Sequence, residues 1–229
     1  MRSLGTGYRA VVFGASGGIG AAVMAALRAD PACAEAVGLS RSADGLDLTR
    51  EATVAEAAAR VGAPVHLLFI ATGALVIDGA GPEKAFRQID PAALAAQFAL
   101  NATGPALALK HFLPLVPRDR RALVAALSAR VGSIGDNGLG GWMGYRASKA
   151  ALNQILRCAA VELRRTHRQA VVAALHPGTV RTRLTEPHRG SREVLEPEDS
   201  ARRLLAVLDG LTPEDSGCFR DWKGEAVEW

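Results

Sequence analysis

Tyr145-Arg146-Ala147-Ser148-Lys149 sets a phenol and an ammonium four residues apart. On a helix, positions i and i+4 share a face, so the two side chains can converge on one site. A phenol with its ordinary pKa of about 10 is a poor base near neutrality, and a neighbouring cation favours the phenolate. Such a tyrosine can donate a proton to a reacting carbonyl oxygen or accept one from an alcohol. The YxxxK spacing occurs by chance on many helices, so its weight depends on what surrounds it.

Upstream, Gly14-Ala15-Ser16-Gly17-Gly18-Ile19-Gly20 stands where a short β-rich run meets an amphipathic helix. Glycines at 14, 18 and 20 permit a tight turn and let a pyrophosphate approach the N–H groups of the helix start. The spacing is GxxxGxG rather than GxGxxG, and its place between a strand and a helix points to a dinucleotide. A second strand should end beside the adenosine ribose, where a carboxylate selects a 2′-hydroxyl and an arginine a 2′-phosphate. Here Ser40-Arg41-Ser42 occupies that place and no carboxylate follows until Asp44. A guanidinium flanked by hydroxyls suits a phosphate dianion, so NADP(H) is expected in preference to NAD(H).

Periodicity supplies the elements that must position these groups. Residues 8–13, 36–39, 65–70, 121–127 and 170–175 read as strands, and residues 18–27, 49–60, 145–165 and 197–208 as helices. Pro91 opens a further helical segment that Pro114 and Pro117 close. This alternation predicts an α/β fold: a Rossmann-type, doubly wound parallel sheet with helices on both faces, in a single domain spanning residues 1–229. Ligands in such sheets sit beyond the carboxyl ends of the strands, and the Tyr145 helix is expected after the fifth strand.

Composition narrows the function classes. The chain has 229 residues, 49% hydrophobic and 22% charged, which excludes a disordered chain. The apolar stretch 65–77 is interrupted by His66, Thr72 and Gly73 and falls short of the ~20 residues of a membrane span. The N-terminus lacks an apolar h-region, so no membrane role is expected and the location is read as cytoplasmic. The 27 basic and 23 acidic residues are spread along the chain and aromatics make up 5%, which argues against a nucleic-acid partner. Cys33, Cys158 and Cys218 form no CxxC and the five histidines show no ligand spacing, so neither a disulfide framework nor a metal site is expected.

With these motifs together, the chain resembles the short-chain dehydrogenase/reductase family over essentially its whole length. Further stretches carry the resemblance. Asp47-Leu48 is similar to the family's adenine-site pair after the third strand, and Ile70-Ala71-Thr72-Gly73 stands where the family has Asn-Asn-Ala-Gly. Asn101 matches the helical asparagine that holds a bend and a water of the proton relay. Pro177-Gly178-Thr179-Val180-Arg181-Thr182 resembles the loop that meets nicotinamide and pyrophosphate, through the Val180 backbone and the Thr182 hydroxyl. Residues 128–137, Gly140-Gly141-Trp142 and the end of the chain resemble the branch of C-factor and sniffer-type carbonyl reductases.

The resemblance implies a hydride-transferring oxidoreductase acting on a small carbonyl or alcohol substrate, with Tyr145 as acid/base, Lys149 lowering its pKa and Asn101 anchoring the relay. It implies cofactor contacts at Gly14, Ser16, Gly17, Gly18, Ile19, Gly20, Ser40, Arg41, Asp47, Leu48, Ala71, Thr72, Gly73, Asn101, Tyr145, Lys149, Pro177, Gly178, Val180 and Thr182. It also implies a short lid around residues 181–197, a tail over 211–229, and a homodimer or homotetramer. Departures bear on the chemistry. Phe13 replaces the usual Thr, and Ile70-Ala71 replaces two Asn. Ala129 stands where the family places its catalytic Ser, three residues before Gly132, leaving Ser128 and Ser133 as substitutes. A catalytically weak nucleotide-binding sensor of the C-factor type is therefore the alternative. Trp142 either lines the substrate pocket or packs a loop, Trp222 and Trp229 read as packing or interface residues, and His176 as structural.

Overall fold

The computed structural model describes residues 1–182, 184 and 194–229. Six parallel strands form one sheet in the order β2-β1-β3-β4-β5-β8: β1 (Tyr8–Phe13), β2 (Cys33–Leu39), β3 (Leu67–Ile70), β4 (Ala122–Leu127), β5 (Ala170–His176) and β8 (Cys218–Asp221). A separate pair joins β6 (Thr179–Val180) to β7 (Val194–Leu195). Every residue of β3 and β4 is buried, because helices cover both faces of a parallel sheet.

Strand alternation divides the core in two. Val11, Phe13, Leu68, Ile70, Val124 and Val172 face the side covered by α3 (Glu51–Val61), α5 (Gly104–Phe112) and α6 (Met143–Leu163). Tyr8, Ala10, Val12, Phe69, Leu123 and Val171 face α1 (Gly18–Ala29) and α7 (Pro197–Gly210). Helix α1 packs on α7 through Val23, Leu27, Leu204 and Leu208.

Two expectations are corrected here. No strand forms between β2 and α3. The four-residue helix α2 (Arg41–Asp44) ends at Gly45, whose left-handed backbone (φ 65°) turns the chain, and Asp47-Leu48 follows directly in a loop. Too few residues separate β2 from α3 for a crossover and another strand. Helix α6 consequently follows β4, the fourth strand, rather than a fifth. The segment read as a tail also supplies a sheet strand, β8, held by Val227 N–H donating to Phe219 O and by stacking of Phe219 near Trp229 at 5.6 Å. The expected lid lies largely outside the described residues.

Residues Pro91–Leu115 form a 25-residue helical run, longer than the 65–77 stretch and apolar enough by length and composition to cross a membrane. In the fold its parts, α4 (Pro91–Phe98), a π-helical turn (Ala99–Thr103) and α5, pack against α6. Pro91 stands at the start of α4 under an Asp90 cap, whose Oδ1 accepts from Ala93 N–H at 2.8 Å.

Candidate active site

Helix α6 builds the centre of the site. Tyr145, Ser148, Lys149, Leu152, Asn153 and Leu156 recur at helical spacing and are all buried, so the stripe that packs the helix also carries its polar groups. Trp142, in the left-handed region at φ 54°, starts the helix without capping it. Glu83 takes that role from the loop after β3: its Oε2 accepts from Gly144 N–H at 3.2 Å. A carboxylate there satisfies an orphan donor and opposes the positive end of the helix dipole. The approach is close: a Cβ on Gly144 would stand 2.8 Å from Glu83 Oε1, so the carboxylate would have to shift.

Tyr145 and Lys149 wall a cavity of about 340 Å³ that also touches Gly17, Gly18, Ile19, Gly20, Thr72, Gly73, Ser128 and Val180. Lys149 Nζ donates to Leu127 O at 2.9 Å and stands 5.9 Å from the centre of the Tyr145 ring. Burial pushes the Tyr145 phenol up to about 12 and the Lys149 ammonium down to about 8. Loss of water around each charged form is the cause of both shifts.

Asn101 lies in the π-helical turn and is fully buried. Its amide nitrogen donates to Ala74 O at 2.9 Å and Gln97 Oε1 at 2.7 Å, and its Oδ1 accepts from Ala74 N–H at 2.9 Å. Gln97 Nε2 in turn donates to Leu75 O at 2.9 Å. The two amides fasten the loop after β3 to α4 and the turn. Asn101 is not part of the cavity wall; Gly73 comes between, where a Cβ would stand 3.1 Å from both Asn101 Oδ1 and Lys149 Nζ. Asn101 was legible as an asparagine needing a hydrogen-bonding reason inside an apolar helix, whereas Gln97, one turn earlier, is a good helix former and gives no such signal.

The two candidate serines part company. Ser133 Oγ accepts from Asp136 N–H at 3.0 Å, and the residue does not line the cavity. Ser128 does, as does Ala129 beside it. Ser128 Oγ donates to Asn153 Oδ1 at 2.6 Å, and Asn153 Nδ2 donates to Gly132 O at 3.4 Å. His176, read above as structural, also lines the cavity, with Nδ1 accepting from Arg130 N–H at 3.3 Å. Trp142 lines it too, 6.5 Å from Tyr145 ring to ring.

The glycine turn fits a dinucleotide. Gly14 takes φ 76° where a Cβ would meet Ala71 O at 2.8 Å, and a Cβ on Gly20 would collide with Gly14 O. Gly17, the residue before α1, carries no side chain to cap the helix, and first N–H groups so placed suit a pyrophosphate. Thr72 Oγ1 is buried beside this turn and has no hydrogen-bond partner among the described residues. Ala71, Pro177, Gly178 and Thr182 also line the cavity, and Trp222 stands 2.8 Å from where a Gly178 Cβ would be. Ser16, Ser40, Arg41, Asp47 and Leu48 lie outside this cavity. Gly14 and Ala15 N–H donate to Leu39 O, so the Ser40–Arg41 turn adjoins the glycine turn. Ser40 Oγ caps α2 by accepting from Ala43 N–H at 3.2 Å, Asp44 Oδ2 turns back onto Ser40 N–H at 2.9 Å, and the Arg41 side chain is exposed. Asp47 Oδ1 accepts from the Thr49 hydroxyl and N–H, which holds the carboxyl below its usual range. Leu48 is buried against Gly104.

Comparison with known proteins agrees with this geometry. A family model described as short chain dehydrogenase matches residues 45–193. The 1-hydroxy-2-glutathionyl-2-methyl-3-butene dehydrogenase of a Rhodococcus species is 33% identical over 210 residues, 90% of this chain and 88% of that protein. The C-signal of Myxococcus xanthus is 39% identical over 145 residues, 63% of this chain and 84% of that protein. Among solved structures, the NADPH-bound carbonyl reductase from chicken fatty liver superposes with TM-score 0.81 at 24% identity, covering 99% of this chain and 96% of that one. A short-chain dehydrogenase/reductase from Burkholderia multivorans with bound NADP gives TM-score 0.77 at 26% identity, covering 97% and 99%.

Proposed function

The chain belongs to the short-chain dehydrogenase family and is an NAD(P)-dependent oxidoreductase, and from that premise we propose that Tyr145 and Lys149 form its acid–base centre for interconverting a carbonyl group and an alcohol. The observation that carries the reading is the position of both side chains, one helical turn apart, in the wall of the cavity that also touches the glycine turn at the start of α1.

When bound, the nicotinamide cofactor supplies or accepts the hydride. The chain's residues do the rest. The first N–H groups of α1 would hold the pyrophosphate, with Thr72 Oγ1 and the Thr182 hydroxyl as further polar groups within its reach. Tyr145 keeps its proton well above neutral pH and delivers it to the carbonyl oxygen as negative charge develops there. Lys149, charged below about pH 8, stabilises the phenolate that remains. Gln97 and Asn101 fix the loop around Gly73 against which Lys149 rests. A phenol held protonated suits reduction of a carbonyl more than oxidation of an alcohol.

Arg41 with the hydroxyls of Ser40 and Ser42 supports NADP(H) over NAD(H), because the Asp44 carboxylate is engaged by the Ser40 N–H. We read the protein as soluble and cytoplasmic, acting on a small molecule as a homodimer or homotetramer, with a lid around residues 181–197. The test is Tyr145→Phe: NADPH binding should persist while reduction of a panel of aldehydes, ketones and quinones disappears. Full turnover in that variant would refute the acid–base assignment.

A second reading, a nucleotide-binding sensor with little turnover, is favoured by Ala129 at the position of the family's serine and by the C-signal relative. NADPH binding without consumption across the same panel would select it.

A further inference from the structure

We propose that the substrate carries a carboxylate-bearing arm, which Arg146 holds in a second recess opening off the redox cavity. The inference rests on the oxidoreductase reading above. The recess, about 410 Å³, shares Ala129, Val131, His176, Gly178 and Thr179 with the cavity that holds Tyr145, so one molecule can occupy both. The two differ in chemistry. Beside Lys149, the redox cavity presents Leu75, Leu127, Val131, Trp142 and Leu184, which suit an apolar, carbonyl-bearing portion. The recess adds the charged Arg130, Asp136 and Arg146 together with Leu139 and Trp222.

Arg146 is fixed as an anion receptor. Its Nε donates to Gly141 O at 2.9 Å and its Nη1 to Val131 O at 3.3 Å, which sets the plane of the guanidinium. Its Nη2 has no partner among the described residues. The group is half-buried, and burial holds its pKa below the usual arginine range although the Asp136 carboxylate acts in the opposite direction, so a bound anion would offset the part of the desolvation cost that Asp136 leaves. Arg130 is otherwise engaged, with Nη2 donating to the buried Asp221 at 3.0 Å and Nη1 lying 3.7 Å from Asp136. A planar carboxylate matches the edge of a guanidinium better than a point charge does. Arg146 lines the recess and Tyr145 the redox cavity, and the five residues common to both walls join them, so an arm anchored at Arg146 would fix the distance of the carbonyl from the phenol. Asp136 opposes such an arm electrostatically and sets how strongly it is held.

The experiment compares 4-carboxybenzaldehyde and 4-formylcinnamic acid with their methyl esters, using the full chain and NADPH. The wild type should favour the acid of at least one pair by 10-fold or more in kcat/KM. Arg146→Gln should lower that ratio at least 10-fold, Arg146→Lys should restore part of it, and Asp136→Asn should raise it. A ratio near one in the wild type, or one unchanged in Arg146→Gln, overturns the proposal. Calorimetric binding of 4-(hydroxymethyl)benzoate to the NADP⁺-loaded protein separates the two readings. Arg146-dependent binding supports the recess even where neither aldehyde turns over, an outcome that would instead refute the redox reading. Absence of binding together with absence of acid preference overturns the recess alone.

Discussion

The Ser128 hydroxyl spends its one proton on Asn153 Oδ1, 2.6 Å away, because the amide nitrogen of Asn153 faces Gly132 O. Ser128 therefore meets the cavity as a hydrogen-bond acceptor. Ser128→Ala should lower kcat/KM for carbonyl reduction by less than about 10-fold, whereas loss of a true oxyanion donor costs ~10²–10³. Steady-state kinetics on one aldehyde decide between these, and a loss near the upper range would show that the hydroxyl donates to substrate.

Ala129 follows on the same cavity wall, at the position three residues before Gly132. Ala129→Ser adds the missing donor without a large change in volume. Its kcat should rise by about 10-fold or more, within the span set by one oxyanion donor. An unchanged kcat would mean that another group already orients the carbonyl.

Lys149 is costly to bury. Its pKa is about 8 in the fold against 10.5 in the unfolded chain, so between those values the unfolded state holds the extra proton and wild-type stability rises with pH. Lys149→Met should flatten that rise in urea melts. Near pH 7 it should add about 1–2 kcal/mol of stability after loss of the Leu127 hydrogen bond is allowed for. The same variant should lose carbonyl reduction, and wild-type kcat should fall as pH passes above about 8. A variant that is both active and no more stable contradicts the assignment.

Arg41 is exposed at the turn after β2, so its substitution should leave the fold intact. Arg41→Gln should raise KM for NADPH by 10-fold or more and change KM for NADH little. Equal effects on the two cofactors would remove the basis for a 2′-phosphate contact.

Sequence legibility followed range. The glycine turn, the Tyr145/Lys149 pair and most strands rest on patterns a few residues long, and these carry the local backbone directly. Strand β8 was not legible, because Cys218–Asp221 is short and becomes a strand only through pairing with β5. The missing crossover before Asp47 could be recognised only by counting residues against a left-handed turn at Gly45. Glu83, Gln97 and Asn153 escaped notice for a related reason. Each serves the site through a partner distant in the chain: 61 residues for Glu83 with Gly144, 22 for Gln97 with Leu75, and 25 for Asn153 with Ser128.

Trp142 stands in the cavity wall, and Trp222 rests on Gly178 with the cations of Arg203 and Lys223 lying 4.7 and 4.9 Å from its ring centre. The chain has three tryptophans in all. Reduced nicotinamide absorbs light where indole emits it, so the protein holds its own optical reporter. Titration with NADPH should quench the native emission and sensitise the dinucleotide's glow, and removing the Trp142 indole should erase most of that signal.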